Sequence, residues 1–179
     1  MKRAFRCFLF FALVTGVIYP LLITTLSYLT MKDKAHGSQA FDVHNRPVGS
    51  FLIGQRFEQE GYFWPRPSAC DYQTLPSSGS NLSPTSKKLQ EAIAKRKNRF
   101  PGAEQIPLDL LFASGSGLDP HISPQTALFQ VERIAKFRNI EASKIEALIE
   151  QLTEKRQWSA LGAPRINVLK LNLKLDNIK

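Results

Sequence analysis

The chain has 179 residues, of which 43% are hydrophobic and 22% are charged. This composition suits one packed domain with a short appendage, and it excludes a disordered chain, a collagen-like repeat, a disulfide scaffold and a polytopic membrane protein. Lysine and arginine number 24 against 15 acidic residues, for a net charge of +9. Because the excess lies mainly in residues 1–7 and 81–100, its distribution argues against the broad basic face of a nucleic-acid-binding protein.

An uncharged segment, residues 7–31, predicts a transmembrane helix. At 1.5 Å per residue it would reach about 37 Å, which is enough to cross a hydrocarbon core of about 30 Å. The alternative is a cleaved signal peptide, whose apolar region is usually about 7–15 residues long and ends at a small-x-small site. The segment here is longer, and the nearest such tripeptide, Ser38–Ala40, lies past its end. We therefore expect a permanent membrane anchor.

Four residues inside this segment are candidates for contact with a neighbouring membrane helix. Pro20 removes one helix hydrogen bond and should kink the span. Small residues and hydroxyl residues let membrane helices approach closely or share hydrogen bonds, which adds Gly16, Thr24 and Thr25.

Basic residues on either side of the segment predict its orientation. Lys2, Arg3 and Arg6 precede it together with the α-amine, whereas only Lys32 and Lys34 follow it closely. Since cytoplasmic flanks carry the excess of lysine and arginine, the N-terminus, 1–6, should be cytoplasmic. The remaining residues, 32–179, should then form one extracytoplasmic soluble domain.

This soluble domain is predicted to have an α+β or α/β fold, with three helices and a few short strands. Residues 41–57 hold short apolar pieces broken by proline and glycine, which indicates short strands and a turn. Serine–proline pairs at 83–84 and 123–124 are typical helix starts, because serine caps the first turn and proline fits the first helical position. The first helix, 84–99, is strongly basic. Its charges most simply form a solvated face, with an anionic headgroup or an acidic partner as the alternative.

After the second helix, the sequence predicts a third helix and a C-terminal strand. The second helix should end near Arg138, and Ser143 with Glu146 fits a capping box that starts a third. The buried face of that third helix would consist of Ile145, Leu148, Ile149 and Leu152. Leucines alternate with polar residues over 169–175, which predicts a half-buried strand.

An aromatic segment, residues 61–72, contains two prolines and one arginine, Arg66. The simpler interpretation is a proline-braced loop that packs its rings into the core. The alternative is a ligand site in which Arg66 stacks on Tyr62, Phe63 or Trp64.

Two loops rich in glycine and serine precede the first two predicted helices. Backbone N–H groups at the start of a helix can bind an anion such as a phosphate. The candidate nucleotide- or anion-binding residues are Ser78, Gly79, Ser80 and Asn81 in the first loop and Ser114, Gly115, Ser116 and Gly117 in the second. Neither loop matches a known phosphate-binding motif, and tight turns explain the glycines at least as well.

No residue pattern predicts catalysis or metal binding. Asp119 and His121 with a neighbouring serine suggest a hydrolase, but no G-x-S-x-G motif occurs, and Asp-x-His is more often a turn with side-chain-to-backbone bonds. Cys7 and Cys70 lie far apart, so an intramolecular disulfide is not expected, and no Cys/His cluster offers a zinc site. We therefore expect no catalytic residue, no metal and no tightly bound cofactor.

Five motifs together resemble one protein family, the C subunit (KdpC family) of the bacterial Kdp potassium-transporting ATPase. The resemblance covers essentially the whole chain in the same order. The motifs are GSFLIGQRF (49–57), YFWPRPSACDY (62–72), SGSNLSPTS (78–86), ASGSGLDPHISPQTALFQVERIA (113–135) and GAPRINVLKLNL (162–173).

The resemblance implies an accessory subunit of an ATP-driven, high-affinity potassium uptake complex in the bacterial inner membrane. Its partners would be a P-type ATPase subunit, a channel-like potassium-translocating subunit and membrane lipid, but not nucleic acid. The chain lacks the D-K-T-G motif of the phosphorylated pump, which implies a non-catalytic role. The family is also described as a catalytic chaperone that raises ATP affinity, so ATP would be a ligand through the complex.

Two alternatives stay open at this point. A direct nucleotide-binding modulator would use the two glycine/serine loops, but it needs the soluble domain in the cytoplasm. An anchored extracytoplasmic hydrolase would use Asp119, His121 and a nearby serine. Otherwise we expect the external domain to pack on the channel-like subunit near the ion entrance.

Overall fold

The computed structural model describes residues 1–178 and divides into two compact units, Met1–Gln39 and Ala40–Lys179. Helices and short strands both occur in it, behind one long N-terminal helix, which agrees with the predicted mixed fold.

The first unit is dominated by a continuous helix, Lys2–Thr30, whose most apolar window has a mean hydropathy of 2.3 and is not buried within the chain. By length and composition this helix can cross a membrane. It consists of α1 (Lys2–Leu13), a π-helical turn (Val14–Ile18) and α2 (Tyr19–Thr30), and the short α3 (Lys32–Ala35) follows. The π-helical turn ends two residues before Pro20, which has no N–H and whose ring crowds the carbonyl four residues earlier, within that turn. The helix therefore widens before the proline and continues beyond it.

Within residues 1–178, four short strands form two small sheets. β1 (Gln39–Phe41) pairs with β2 (Pro47–Ser50), which confirms the short strands expected around residues 41–57. β3 (His121–Ile122) pairs antiparallel with β4 (Ile166–Asn167), with His121 opposite Asn167 and Ile122 opposite Ile166. The second sheet joins segments that are far apart in sequence, and local patterning did not predict it.

The basic helix begins later than predicted. α4 spans Lys87–Lys97, with Ser86 rather than Ser83 at its N-cap. Ser83 instead begins a turn, in which its carbonyl accepts the Ser86 N–H at 2.9 Å and its hydroxyl lies 3.0 Å from the Thr85 hydroxyl. The prediction that Pro84 opens this helix is therefore wrong. A separate short helix, α5 (Leu108–Leu111), follows.

The next predicted helix forms, but as two pieces. α6 (Pro124–Phe129) starts as expected, because the Ser123 hydroxyl accepts the Thr126 N–H at 3.3 Å and Pro124 takes the first position. α7 (Val131–Arg138) continues after a break at Gln130. The buried Gln130 amide accepts the Trp64 N–H at 2.8 Å and donates to the Trp64 carbonyl at 3.2 Å. The side chain of the residue at the break is thus hydrogen-bonded to the backbone of a distant part of the chain.

The third predicted helix is α8, Ala142–Leu152. Its N-cap is Glu141 and no side chain caps it, so the predicted capping box at Ser143 is wrong. The predicted buried face is confirmed, with Ile145, Leu148 and Ile149 buried and Leu152 partly buried.

The predicted C-terminal strand is a helix, α9, Val168–Leu175. Its alternating leucines misled the prediction because positions 168, 171, 172 and 175 also fit one face of a helix. The Asn167 side chain caps the helix by accepting the Lys170 N–H at 3.0 Å. The buried Asn172 amide accepts the Phe63 N–H at 2.9 Å and donates to the Phe63 carbonyl at 3.1 Å, which ties α9 to the aromatic segment.

One hydrophobic cluster joins these elements. Helices α6 to α9 surround the second sheet, and burial of each large apolar side chain stabilises the fold by about 1.5–3 kcal/mol. The cluster consists of Phe63, Ile122, Ala127, Val131, Ile134, Ile145, Leu148, Ile149, Ile166, Val168, Leu171 and Leu175. The burial of Phe63 and Trp64 confirms that residues 61–72 pack aromatic rings into the core.

Candidate functional site

A groove of about 510 Å³ lies beside strand β3 and brings together distant parts of the sequence. Arg66 reaches it from the aromatic segment, and Asp109 reaches it from α5. Residues 119, 121–123 and 161–165 complete most of its wall. Three of the five motifs that carried the family resemblance therefore meet here.

Two carboxylates close the outer edge of β3. Asp119 Oδ1 accepts the His121 N–H at 3.0 Å, and Asp109 Oδ2 accepts the Ser123 N–H at 2.9 Å. On the other side of this segment, the Pro120 carbonyl accepts the Val168 N–H at 2.9 Å. Because the outward N–H groups are already bonded, this strand edge is closed to pairing with another strand.

Arg66 bridges the two carboxylates. Its Nη1 lies 3.0 Å from Asp119 Oδ2, and its Nε lies 4.0 Å from Asp109 Oδ1. The Nε atom is buried without a hydrogen-bond partner in the described chain. The backbone of Arg66 is held as well, since its carbonyl accepts the Tyr72 hydroxyl at 2.7 Å. The alternative in which Arg66 stacks on an aromatic ring is therefore wrong.

Both carboxylates are stabilised in the charged form. Burial alone raises the pKa of Asp109, but hydrogen bonds from Ser123 and Thr126 and the charge of Arg66 outweigh it and hold the pKa below its usual value. For Asp119, burial also opposes ionisation, and the bonds from His121 and Arg66 lower the pKa overall. The cluster at neutral pH is thus two carboxylates around one guanidinium.

The arrangement does not resemble a hydrolase triad. His121 Nδ1 lies 3.3 Å from Asp119, whose carboxylate also accepts the His121 backbone N–H. The Ser123 hydroxyl lies 2.8 Å from the Thr126 hydroxyl and caps α6. Asp119 therefore makes the predicted side-chain-to-backbone bond, but His121 lies in strand β3 rather than in a turn, and Ser123 serves as a helix cap.

The two glycine/serine loops lie against each other. A methyl group added to Gly79 would come within 2.7 Å of the Gly115 carbonyl oxygen, and one added to Gly117 within 2.7 Å of the Ser78 carbonyl oxygen. The sequence did not predict this contact. Neither loop opens a helix, because α4 starts at Lys87 and α6 at Pro124, so the predicted helix-dipole contribution is wrong.

Part of the backbone in the second loop is already hydrogen-bonded. The N–H of buried Ser114 donates to the Pro67 carbonyl at 3.1 Å, and the Leu118 N–H donates to the Ser116 hydroxyl at 3.1 Å. In the first loop Ser80 is exposed, and Asn81 adopts a positive φ of 50°. Anion binding by these loops stays a prediction.

The four residues predicted to contact a membrane helix all lie on the exposed surface of the long helix. Gly16 is in the π-helical turn, with open space around its α-carbon, and Pro20, Thr24 and Thr25 are in α2. Their contact with another helix stays a prediction.

Sequence reasoning missed the arginines that do stack. The guanidinium carbons of Arg99 and Arg133 lie 4.1 and 3.9 Å from the centre of the Trp64 ring, and that of Arg138 lies 4.6 Å from the Tyr62 ring. Burial lowers the pKa of Arg133 to about 10, which leaves it charged at neutral pH. Nothing in the local sequence around these three arginines predicted their contact with an aromatic segment far upstream.

Comparison with known proteins agrees with the family resemblance that the five motifs carry. The sequence model of the KdpC family, described as "K+-transporting ATPase, c chain", matches residues 1–177. A protein of Methylococcus capsulatus named "Potassium-transporting ATPase KdpC subunit" is 46% identical, over 99% of this chain and 97% of its own. Proteins with the same name from Dechloromonas aromatica and Paraburkholderia phytofirmans are each 42% identical, over 99% and 100% of this chain and 97% and 99% of their own.

Proposed function

The chain belongs to the KdpC family of potassium-transporting ATPase subunits, and from this we propose that it is an accessory, non-catalytic subunit of an ATP-driven potassium uptake complex. The match of the family to residues 1–177 carries the proposal. Its partners are a P-type ATPase subunit and a channel-like subunit, and its role is to assemble and activate them.

The long apolar helix supports a membrane tether. Lys2–Thr30 is long enough to span a bilayer, and the basic residues at its N-terminal end favour a cytoplasmic N-terminus. The domain then lies on the outer face of the bacterial inner membrane, beside the channel-like subunit. Exposed Gly16, Pro20, Thr24 and Thr25 would contact the membrane helices of the partners.

Deletion of this chain tests the proposal. A strain that lacks it but still makes the companion subunits should lose growth and potassium uptake at limiting potassium, because the remaining subunits neither assemble nor turn over properly. The full chain supplied from a plasmid should restore both. Undiminished uptake in the deletion strain would falsify the proposal.

Direct contact with nucleotide is a second candidate function, by which the chain would raise the ATP affinity of the ATPase subunit. The observation in its favour is that the loops at 78–81 and 114–117 lie together and so could bind one ligand. It requires the domain on the side of the membrane where ATP is found, opposite to the orientation proposed above. Labelling of intact cells with a maleimide that cannot cross the inner membrane shows on which side the domain lies. Labelling of the domain without lysis would exclude direct contact with cytoplasmic nucleotide.

A further inference from the structure

The twelve residues from Glu154 to Arg165 form an exposed hairpin, called the 154–165 hairpin below. Antiparallel bridges join Glu154 to Arg165 and Gln157 to Leu161. An ion pair of 3.0 Å between Glu154 Oε2 and Arg165 Nε braces its base. The loop is thus a defined element that projects from the surface.

A tryptophan stands at its tip. Trp158 is 87% exposed, whereas Trp64, the other tryptophan of the chain, is 6% exposed. Trp158 and Ser159 adopt φ values of +48° and +62°, and the Ala160 N–H closes the turn by donating to the Gln157 carbonyl at 3.1 Å. Glycine, asparagine and aspartate are the usual residues in such a turn, so a tryptophan there is unfavourable for the isolated fold.

The hairpin also carries an exposed apolar side chain and two cations close to the tryptophan. Leu161 is 55% exposed on the same hairpin. Lys155 and Arg156 are exposed and make no ion pair within residues 1–178. An exposed aromatic ring beside unpaired cations is the composition of a protein-binding hot spot.

We propose that the 154–165 hairpin is a docking element for the channel-like companion subunit, beside which the domain is proposed to lie. Trp158 enters an apolar pocket of that subunit, and carboxylates at the pocket rim pair with Lys155 and Arg156. This inference rests on the proposed function, which supplies the companion.

The neighbouring groove favours a protein over a lipid surface. Lys155, Gln157 and Leu161 line it together with three carboxylates and two arginines, so charges of both signs stand beside the hairpin: Asp109, Asp119, Glu154, Arg66 and Arg165. A bilayer surface that carries one sign of charge cannot complement this mixture, whereas a protein can place a matching charge against each group. A concave groove next to a projecting ring also suits a shaped partner better than a flat membrane.

Photo-crosslinking in the assembled complex tests the inference. The variant Trp158→p-benzoylphenylalanine, in the full chain and in native membranes, should form a covalent adduct with the channel-like subunit on illumination. Leu75→p-benzoylphenylalanine is the matched control, because Leu75 is 89% exposed on a different loop. An adduct only with lipid or only with the ATPase subunit from position 158, or none above the Leu75 background, would overturn the inference.

Affinity gives a second measurement. Trp158→Ala should weaken binding of the detergent-solubilised chain to its companions about 30-fold, as expected for a central hot-spot residue, and Trp158→Phe should recover part of the loss. The emission of buried Trp64 reports whether the variant is folded. If unaltered chain does not co-purify with the companions, the proposed function itself fails. If it does, and folded Trp158→Ala binds equally well, only the hairpin inference fails.

Discussion

At the scale of single residues, the polar cluster around Arg66 holds the backbone of the β3 segment in place. Asp109 and Asp119 are each committed to a backbone N–H of the β3 segment and to Arg66. Partly buried carboxylates with such partners stabilise the fold only while they are ionised. The cluster therefore makes stability depend on pH.

Asp109→Asn combined with Asp119→Asn should reduce this dependence. The folded-state pKa of both groups lies below the ordinary value of 3.8, so their contribution is complete above that value and is lost as the pH falls through the folded pKa. We expect urea unfolding to show the unaltered chain losing stability below about pH 4. The double variant should be less stable by about 2–4 kcal/mol at neutral pH, with a flatter profile.

Glu132→Gln is the control, because Glu132 is exposed in α7. It should keep both the neutral-pH stability and the acid profile of the unaltered chain. Identical acid profiles for the unaltered chain and the double variant would contradict the stabilising role of the cluster.

At the scale of elements, contacts between distant segments decide which structures form. The alternating leucines of 169–175 fit a strand and a helix equally well, and α9 forms because Asn172 bonds to Phe63 and one face packs into the core. The conformations of the two glycine/serine loops likewise depend on the contact between them. Gly79 packs against the backbone of Gly115, a contact that no local pattern reveals.

Two glycine-to-alanine variants form a matched test of the loop contact. In Gly79→Ala the new methyl group would lie 2.7 Å from a backbone oxygen, so the loops must separate, and we expect destabilisation of about 1–3 kcal/mol. In Gly115→Ala the methyl group meets nothing within 4 Å, so stability should stay unchanged or rise slightly. Chemical denaturation measures both, and equal stability of the two variants would contradict the packing of Gly79.

At the scale of the whole molecule, the question is which side of the membrane the domain occupies. Labelling of intact cells with a maleimide that cannot cross the inner membrane answers it. In a Cys7→Ser, Cys70→Ser background, Leu75→Cys places one thiol at a position that is 89% exposed. We expect labelling without lysis, because the domain is proposed to lie outside.

A matched variant allows either orientation of the domain to be recognised from the labelling pattern. Lys2→Cys in the same background lies before the membrane segment and should react only after lysis. If instead Lys2→Cys reacts in intact cells and Leu75→Cys does not, the domain is cytoplasmic. The nucleotide-binding alternative at 78–81 and 114–117 then becomes the better proposal.

The amino-acid sequence alone determined the apolar helix, the buried face of α8 and the membership of the family, because each depends on periodicity or motif order within a continuous stretch. Only the tertiary structure decided that 168–175 is helical, that Arg66 pairs with carboxylates rather than stacking on a ring, that the two loops meet, and that Trp158 projects from a hairpin. In the first three cases the deciding partner lies far along the chain, whereas the hairpin around Trp158 is held by pairing between its own two arms. Local sequence constrains local conformation, whereas hydrogen bonds and packing across such separations exist only once the chain has folded.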